Sequence, residues 1–302
     1  MKPPWLDTDA WPFAPRAAAL PEGAMHYVDE GSGPPVVLVH GTPTWSFEWR
    51  HVIAALRATH RVIAADHLGF GLSERPATAG YSPEDHARRF GAFIDSLALD
   101  TPLTLVVHDF GGPIALDWAL EHPQRVRHLV VVNSWMWSLA DDPLMRRRAS
   151  LVHGALGALL YRRLNASLRL IMPSAYADRR RLTAAVHAQY LAPFPDADSR
   201  GRVLWALARA LIDSSPYYAS LWERRERLAT VPASILWGMR DSAFPPAMLA
   251  RWEAALPHAR VVRFDGAGHW PHEEEPAAFV EALRLAIGAA DGPDAGIAPD
   301  SA

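Results

Sequence analysis

Residues 103–116 read LTLVVHDFGGPIAL, and this stretch determines how the rest of the chain is interpreted. The apolar run Leu103–Val107 predicts a buried strand, and HDFGG, which follows it, predicts an abrupt turn into a helix. Asp109 therefore stands on a tight strand–turn–helix bend, where a nucleophilic side chain is displayed in one large class of catalytic sites. The alternative role for Asp109 is to cap the helix, because aspartate is a favoured N-cap residue.

Short apolar runs recur on both sides of this stretch. They lack the polar alternation of half-exposed strands, which indicates strands buried on both faces of a parallel sheet. The runs are Val36–Val39, Val62–Ala65, Leu129–Val132, Ser234–Trp237 and Val261–Phe264, with an earlier antiparallel strand at Met25–Glu30. Helices are predicted near 46–58, 83–98, 111–121, 247–256 and 276–288. The pattern predicts an α/β fold, with a mostly parallel central sheet and helices on both faces.

The alternation of strands and helices is interrupted before Ser234. The sequence there predicts amphipathic helices such as RVLWALARALI, so we expect a helical insertion at 134–227. The α/β core then consists of residues 24–133 and 228–289, preceded by an N-terminal extension at 1–23. The small, acidic, proline-containing stretch 290–302 predicts a flexible tail.

The composition is that of an ordinary globular protein, with 50% hydrophobic residues, 21% charged residues and a net charge of −3. This charge gives no global electrostatic basis for binding nucleic acid. The chain has no cysteine, so disulfides, thiolate nucleophiles and cysteine-bound metals are excluded. We find no signal peptide, spanning helix, dinucleotide fingerprint or His–Glu–x–x–His helix. We therefore expect a cytoplasmic protein with no cofactor, no metal, and neither a nucleic-acid nor a membrane partner.

Two later segments carry residues that complement Asp109. Asp241, in ILWGMRD, follows the strand at 234–237, and His269, in GAGHW, follows the last strand. The order Asp109, Asp241, His269 is the nucleophile–acid–base order of the catalytic triads built on this kind of sheet. The three side chains are therefore candidates for nucleophilic catalysis.

Two further polar residues are given structural roles. His272 lies three residues after His269 and beside Glu273–Glu275, so it is expected at the surface. Asp66, in DHLGFGLSERP, is expected to stabilise the glycine-containing turn that follows it.

The loop after the first parallel strand, HGTPTW at 40–45, is a candidate for stabilising negative charge. In this architecture such a loop contributes one backbone N–H, and the residue after the nucleophile contributes a second. The expected donors are therefore the N–H groups of Thr42 and Phe110. Pro43 is expected to fix the turn that directs the Thr42 N–H inward.

The segments HGTPTWSF, DHLGFGLSERP, VVHDFGGPI, LWGMRD and GAGHW together resemble the haloalkane dehalogenase branch of the α/β-hydrolase family. Within that branch they most resemble the subgroup that also contains β-lactone decarboxylases, over about residues 25–288. The resemblance implies that Asp109 is the nucleophile, His269 the base and Asp241 the orienting acid, beneath a helical cap. It also implies a small apolar organic substrate and water as the reactants. A carboxylate that displaces a leaving group from carbon forms an ester, which activated water then hydrolyses.

The residues that bind the leaving group depart from this branch. Its usual members have asparagine at the position of Thr42 and tryptophan at that of Phe110, and both donate N–H to the departing halide. Thr42 retains one O–H donor, whereas the Phe110 side chain donates nothing. Trp135 and Trp137, at the start of the insertion, are candidates to replace the missing indole N–H, and core packing is the alternative role for each.

Three reactions fit this pattern: displacement of a halide, opening of an epoxide and decarboxylation of a β-lactone. Halide displacement is the main hypothesis. Epoxide opening requires phenols that protonate the leaving oxygen. The insertion offers Tyr161, Tyr176, Tyr190, Tyr217 and Tyr218. The alternative of a different class is a non-catalytic binding module on the same fold.

Overall fold

The computed structural model describes the backbone of residues 3–291 and the side chains of residues 3–288. An eight-stranded sheet forms its centre, in the spatial order β1-β2-β4-β3-β5-β6-β7-β8. The strands are β1 (Arg16–Leu20), β2 (Gly23–Glu30), β3 (Pro35–Val39), β4 (Arg61–Ala65), β5 (Leu103–Asp109), β6 (Val126–Ser134), β7 (Ala233–Gly238) and β8 (Arg260–Phe264). β1 and β2 pair antiparallel, and β3 to β8 run parallel to one another. The predicted α/β fold is thus confirmed.

Helices connect the parallel strands and cover both faces of the sheet. They are α1 (Arg50–Leu56), α2 (Pro83–Ser96), α3 (Gly111–Glu121), α4 (Pro143–His153), α5 (Ala155–Arg162), α6 (Met172–Ala175), α7 (Ala184–Leu191), α8 (Ala197–Ser199), α9 (Ala206–Asp213), α10 (Ser215–Glu223), α11 (Pro246–Ala255), α12 (Pro271–Glu274) and α13 (Pro276–Asp291). Every residue of β3, β5 and β7 is buried, as their uninterrupted apolar sequences predict. The carboxyl ends of these strands lie at one edge of the sheet, so the loops after β3, β5, β7 and β8 converge there.

The N-terminal region differs from the prediction. Residues 16–20, assigned to the extension, form the edge strand β1, which pairs with β2. Trp11 and Phe13, earlier in the same region, are buried, and the Trp11 ring centroid lies 4.8 Å from that of Phe13 and 5.2 Å from that of Trp45. The region therefore contributes an edge strand and part of the core, because its aromatic side chains find apolar partners there.

Two other boundaries differ in detail. The helix predicted at 46–58 begins as a 3-10 turn at Ser46–Trp49 and continues as α1. The last helix, α13, extends to Asp291, three residues past its predicted end, so part of the predicted tail is helical. The rest of that tail, residues 292–302, lies outside the described residues.

A helical segment, α4–α10, separates β6 from β7. Its helices are joined by two π-helical turns, Ser167–Ile171 and Arg200–Trp205. α4 and α5 contact each other and pack against the stretch that runs from the second π-helical turn through α9. Across the described residues, none of the helices combines the length and the apolar character needed to cross a bilayer.

Candidate active site

Asp109 occupies the sharp bend between β5 and α3. Its φ is +50°, in the left-handed region that residues other than glycine rarely adopt. The bend depends on small neighbours, because a Cβ on Gly41 would collide with the Asp109 side chain and one on Gly112 with the Ser134 hydroxyl. The bend therefore presents the Asp109 carboxylate at the carboxyl edge of the sheet, where only 5% of the residue remains exposed.

Backbone N–H groups from two loops surround this carboxylate. The N–H of Thr42, in the loop after β3, donates to Asp109 Oδ1 across 2.8 Å. The Phe110 N–H also hydrogen-bonds the carboxylate and favours its charged form. Donors fixed in a buried site stabilise negative charge on oxygen more strongly than mobile water does. The N–H groups of Thr42 and Phe110 thus both hydrogen-bond the Asp109 carboxylate.

His269 lies between Asp109 and Asp241. Its Nε2 is 3.4 Å from Asp109 Oδ2, and its Nδ1 is 2.7 Å from Asp241 Oδ2. Burial alone lowers the pKa of His269, but the charge of Asp241 and the hydrogen bonds to both carboxylates outweigh it and raise the pKa to about 10. His269 therefore rests as an imidazolium between two carboxylates at neutral pH.

The same interaction acts on Asp109. Burial raises the pKa of Asp109, whereas the hydrogen bond and positive charge of His269 lower it, and the net shift is downward. Asp109 is therefore charged at neutral pH in a site from which water is largely excluded. A buried, charged and poorly hydrated carboxylate is well suited to act as a nucleophile.

Asn133, at the end of β6, holds Asp241 in place and was not identified from the sequence. Its Nδ2 donates to Asp241 Oδ2 across 2.8 Å, and its Oδ1 accepts the Gly238 N–H across 2.8 Å. The Ala243 N–H donates to Asp241 Oδ1. Asn133 has a φ of +32°, in the region that asparagine tolerates better than most residues. The available signal was a polar residue that ends an apolar buried strand, LVVVN.

A buried network lies behind His269. His108, the residue before the bend, has Nε2 2.8 Å from the carbonyl oxygen of His269 and Nδ1 3.1 Å from Glu48 Oε1. The His269 carbonyl is an acceptor, so the Nε2–H of His108 donates to it, while Nδ1 faces the Glu48 carboxyl group. The Thr44 hydroxyl donates to the other oxygen of Glu48. The network fixes the main chain of the loop that carries His269.

The prediction that His272 lies at the surface is wrong. His272 is fully buried, stacked on Trp49 with ring centroids 4.3 Å apart and edge-on to His108 at 4.8 Å. Burial, together with His108 and His269, lowers its pKa well below the usual value. The ring is therefore neutral and packs as an aromatic side chain. Glu273, which suggested a solvated surface, is itself buried and paired with Arg50.

Glu48, His108 and His272 also form a group whose spacing would admit a metal ion, since their ligand atoms lie within 4.8 Å of one another. Both ring nitrogens of His108 already take part in hydrogen bonds. These bonds account for Glu48 and His108 without a metal, so we assign the group a structural role beside His269.

Phe110 and Trp135 form an apolar wall next to Asp109. Their ring centroids lie 4.8 Å apart, Trp135 also contacts Phe244 at 5.0 Å, and Phe244 lies 5.4 Å from His269. Trp135 Nε1 and Thr42 Oγ1 are buried and have no hydrogen-bond partner among the described residues. Several buried donors in the described residues lack a partner, and these two belong to residues beside Asp109, so they are candidates for contact with a leaving group.

Trp137 takes a different position from Trp135. Its ring packs edge-on against Trp222 and Trp252 at 5.2 and 5.4 Å, and the Arg251 guanidinium lies 4.7 Å from its centre. These residues belong to α10 and α11, so Trp137 joins the helical segment to the core. The expectation that Trp137 supplies an indole N–H to a leaving group is therefore replaced by the packing role.

The tyrosines of the helical segment are engaged elsewhere. The phenols of Tyr176 and Tyr190 donate to Glu273, that of Tyr217 to the Pro113 carbonyl, and that of Tyr218 to the Ala210 carbonyl. Tyr161 is buried, and this burial raises its pKa to about 12. Four of the five phenols thus have their proton committed to an acceptor, which weakens the epoxide hypothesis.

Asp66 stabilises the turn that follows β4. It is fully buried and accepts the N–H groups of Ser46 and Leu72, each across 2.9 Å, and it pairs with His26 Nδ1. Burial raises the pKa of Asp66, but these partners outweigh it and lower the pKa. The carboxylate joins three chain segments next to the Thr42 loop.

The chain is similar in sequence and in structure to known proteins. A family model described as the alpha/beta hydrolase fold matches residues 34–276. The chain is 37% identical to haloalkane dehalogenase 2 of Mycobacterium tuberculosis, over 92% of this chain and 96% of that protein. It is 34% identical to a cis-3-alkyl-4-alkyloxetan-2-one decarboxylase of Shewanella oneidensis, over 89% of this chain and 86% of that protein. Among solved structures, a haloalkane dehalogenase of Agrobacterium tumefaciens covers 92% of this chain and 97% of its own, with a TM-score of 0.81 and 26% identity.

Proposed function

The chain is an enzyme of the α/β-hydrolase family, in its haloalkane dehalogenase branch, and we propose that it displaces a leaving group from carbon through an ester on Asp109. The observation that carries the proposal is the alignment of Asp109, His269 and Asp241, with the Thr42 N–H on Asp109 Oδ1. The proposed reactants are a small apolar organic halide and water, and the proposed location is the cytoplasm. The helical segment acts as a cap over the site.

In the first step, Asp109 Oδ2 attacks the carbon that bears the halide. Oδ1 accepts the Thr42 N–H across 2.8 Å, whereas Oδ2 has the longer 3.4 Å contact with His269 Nε2, so Oδ2 is the less tightly held oxygen. A carbon–oxygen bond forms, the carbon–halogen bond breaks, and the halide leaves with the electron pair. Thr42 Oγ1 and Trp135 Nε1, two of the buried donors that have no partner among the described residues, hydrogen-bond the departing halide.

Formation of the ester removes the negative charge that lies 3.4 Å from His269 Nε2. The pKa of His269 then falls, and after losing its proton the ring acts as a base. Nε2 removes a proton from water, whose oxygen attacks the Asp109 carbonyl carbon, and the Thr42 and Phe110 N–H groups hold the oxyanion. Collapse releases the alcohol and regenerates the carboxylate, so the net products are alcohol, halide and a proton.

A single turnover with a brominated alkane in oxygen-18 water tests this route. The peptide that contains Asp109 is expected to acquire the label, because one carboxylate oxygen comes from water. Label found in the alcohol and absent from that peptide would show direct attack by water on the substrate and would exclude the covalent route.

A second candidate is decarboxylation of a β-lactone, favoured by the Shewanella relative and by Thr42 and Phe110 at the usual halide-donor positions. Asp109 Oδ2 would attack the saturated ring carbon that is bonded to the ring oxygen, and that carbon–oxygen bond would break to free a carboxylate. Loss of carbon dioxide would then break a carbon–carbon bond, form the alkene and release Asp109. The products are an alkene and carbon dioxide, Asp109 stays unlabelled, and the outcome is thereby distinct from halide displacement.

A further inference from the structure

Exposed apolar side chains are concentrated in one part of the helical segment. Of the eight large apolar residues with marked exposure among the described residues, seven lie between 144 and 171. Leu151 on α4 is 61% exposed, Leu156 on α5 is 58% exposed, and Leu170 in the following π-helical turn is 60% exposed. Single exposed leucines are common on proteins, but a cluster of this size indicates an interaction surface.

The same stretch carries a local positive charge. Residues 143–177 contain six arginines and no acidic residue, in a chain whose net charge is −3. Arg146, Arg147, Arg162, Arg163 and Arg169 are exposed. Within the part of the chain that the structure describes, none of these five forms an ion pair. Their guanidinium groups are therefore available to an external anion.

The helical periodicity of α4 places apolar and basic side chains side by side. Leu144, Arg147 and Leu151 are spaced three and four residues apart, so they share one face of the helix. Met145 and Ala149 lie on another face and are buried against the protein. α4 is thus amphipathic in an unusual way, because its outer face contains leucines as well as arginines.

α5 repeats this arrangement. Leu156, Leu159 and Arg163 follow the same spacing at the outside, while Gly157 and Tyr161 are buried. α4 and α5 contact each other and rest on the same underlying helical stretch, residues 200–213. They form one outer layer, which we call the α4–α5 surface and define as residues 143–171.

We propose that the α4–α5 surface docks on an anionic lipid membrane. Leucines at such a surface insert at the boundary between headgroups and acyl chains, and arginines bind the lipid phosphates. A second copy of this chain fits less well, because two α4–α5 surfaces of the same positive sign repel each other. We expected no membrane partner because the sequence has neither a signal peptide nor a spanning helix, and docking on a membrane surface requires neither. The proposal does not depend on the chemistry at Asp109.

Co-sedimentation of the purified enzyme with vesicles tests the proposal. Vesicles containing phosphatidylglycerol are expected to bind the enzyme, and binding should weaken with salt, whereas pure phosphatidylcholine vesicles should bind far less. Each arginine near an anionic surface contributes about 1 kcal/mol, or about a fivefold change in partitioning. R147Q/R163Q should therefore lower binding to the anionic vesicles about 25-fold. L151S/L159S should lower it at least about tenfold, through lost apolar burial.

The matched control variants are R260Q and L285S, which change exposed residues on β8 and α13, away from the α4–α5 surface. They should bind vesicles like the unmodified enzyme. All variants change exposed side chains and should keep the same melting temperature, which a thermal melt checks. Equal binding to neutral and anionic vesicles, or no binding to either, would overturn the proposal. Self-association lost in L151S/L159S, seen by light scattering without lipid, would assign the surface to a second copy instead.

Discussion

Asn133 donates its side-chain amide to Asp241 Oδ2, the same oxygen that accepts the Nδ1–H of His269. The two bonds, 2.8 and 2.7 Å long, hold that oxygen between the Asn133 amide and the His269 imidazole. Asn133 thus orients the acid, and the acid orients His269. Because β6 and β7 are neighbours in the sheet, the asparagine and the aspartate meet at its carboxyl edge.

Replacement of Asn133 tests this positioning role. N133A is expected to lower kcat at least about tenfold with little change in KM, because general-base catalysis depends on the orientation of the ring. N133D keeps an acceptor for the Gly238 N–H but places a second carboxylate against Asp241, so its activity should be lower still and should recover partly as pH falls. The pH profiles of kcat provide the measurement. Identical profiles for N133D and the unmodified enzyme would contradict the role.

Replacement of His269 tests the base. H269F is expected to form the ester, release about one equivalent of halide per enzyme and then stop, because water is no longer activated. Intact mass spectrometry should show the protein with one alkyl group added. D109N is the matched control and should give neither the halide burst nor the adduct. Steady turnover by H269F would remove His269 from the mechanism.

The three candidate catalytic residues could be predicted because local sequence determines where each of them lies. Asp109, Asp241 and His269 each follow an apolar strand, and parallel strands end at one edge of the sheet. β1 was missed because RAAAL carries small side chains, of which only Ala18 is buried, so its pattern is weak. His272 was misplaced because its neighbour Glu273 is paired with Arg50 and hydrogen-bonded by Tyr176, both distant in sequence. Such partners cannot be predicted from the local sequence, because they are brought together only by the fold.

The two tryptophans at the start of the helical segment illustrate the same limit. Trp135 and Trp137 are two residues apart and equally apolar, and they follow a strand that has already ended. The Trp137 ring packs on α10 and α11, whereas the Trp135 ring packs on Tyr218 and Phe244, and all of these partners lie far along the chain. The sequence therefore identified the pair, and tertiary packing selected Trp135 for the wall beside Phe110.

Removal of the Trp135 indole N–H tests the leaving-group site. W135F is expected to lower kcat for halide release about 10- to 100-fold, because one preorganised donor is lost from the developing anion. W137F is the control and should keep its kcat, since Trp137 packs against Trp222 and Trp252. Stopped-flow measurement of bromide release checks both variants. An equal loss of kcat in W135F and W137F would indicate a packing defect and would contradict a hydrogen bond from Trp135 to the halide.

The raised pKa of His269 predicts how stability depends on pH. The folded protein holds this proton up to about pH 10, whereas the unfolded chain releases it near pH 6.5. The interaction therefore stabilises the fold fully below about pH 6.5 and is lost as pH rises through about 10, with at most about a tenfold change in the unfolding equilibrium per pH unit. In D109N the pKa of His269 should fall, so this decline should end at a lower pH. Urea unfolding across the alkaline range provides the measurement, and a decline that still continued to about pH 10 in D109N would contradict the coupling.

Glu273 links the helical segment to the core. Its carboxylate accepts from Arg50 in the core and from the phenols of Tyr176 and Tyr190 in the helical segment, all of them buried. E273A leaves the Arg50 guanidinium buried without its carboxylate, which typically costs about 3–5 kcal/mol. Y190F removes one neutral donor and should cost about 1 kcal/mol.

Urea unfolding should rank these variants, with E273A well below Y190F and the unmodified enzyme. Limited proteolysis of E273A should cut first within the helical segment, because two of its buried hydrogen bonds to the core are lost while the sheet is intact. E275A is the control, since Glu275 is a neighbouring glutamate outside this network, and it should unfold like the unmodified enzyme. If E273A and E275A unfolded at the same urea concentration, Arg50 would have found another partner, and Glu273 would not anchor the helical segment.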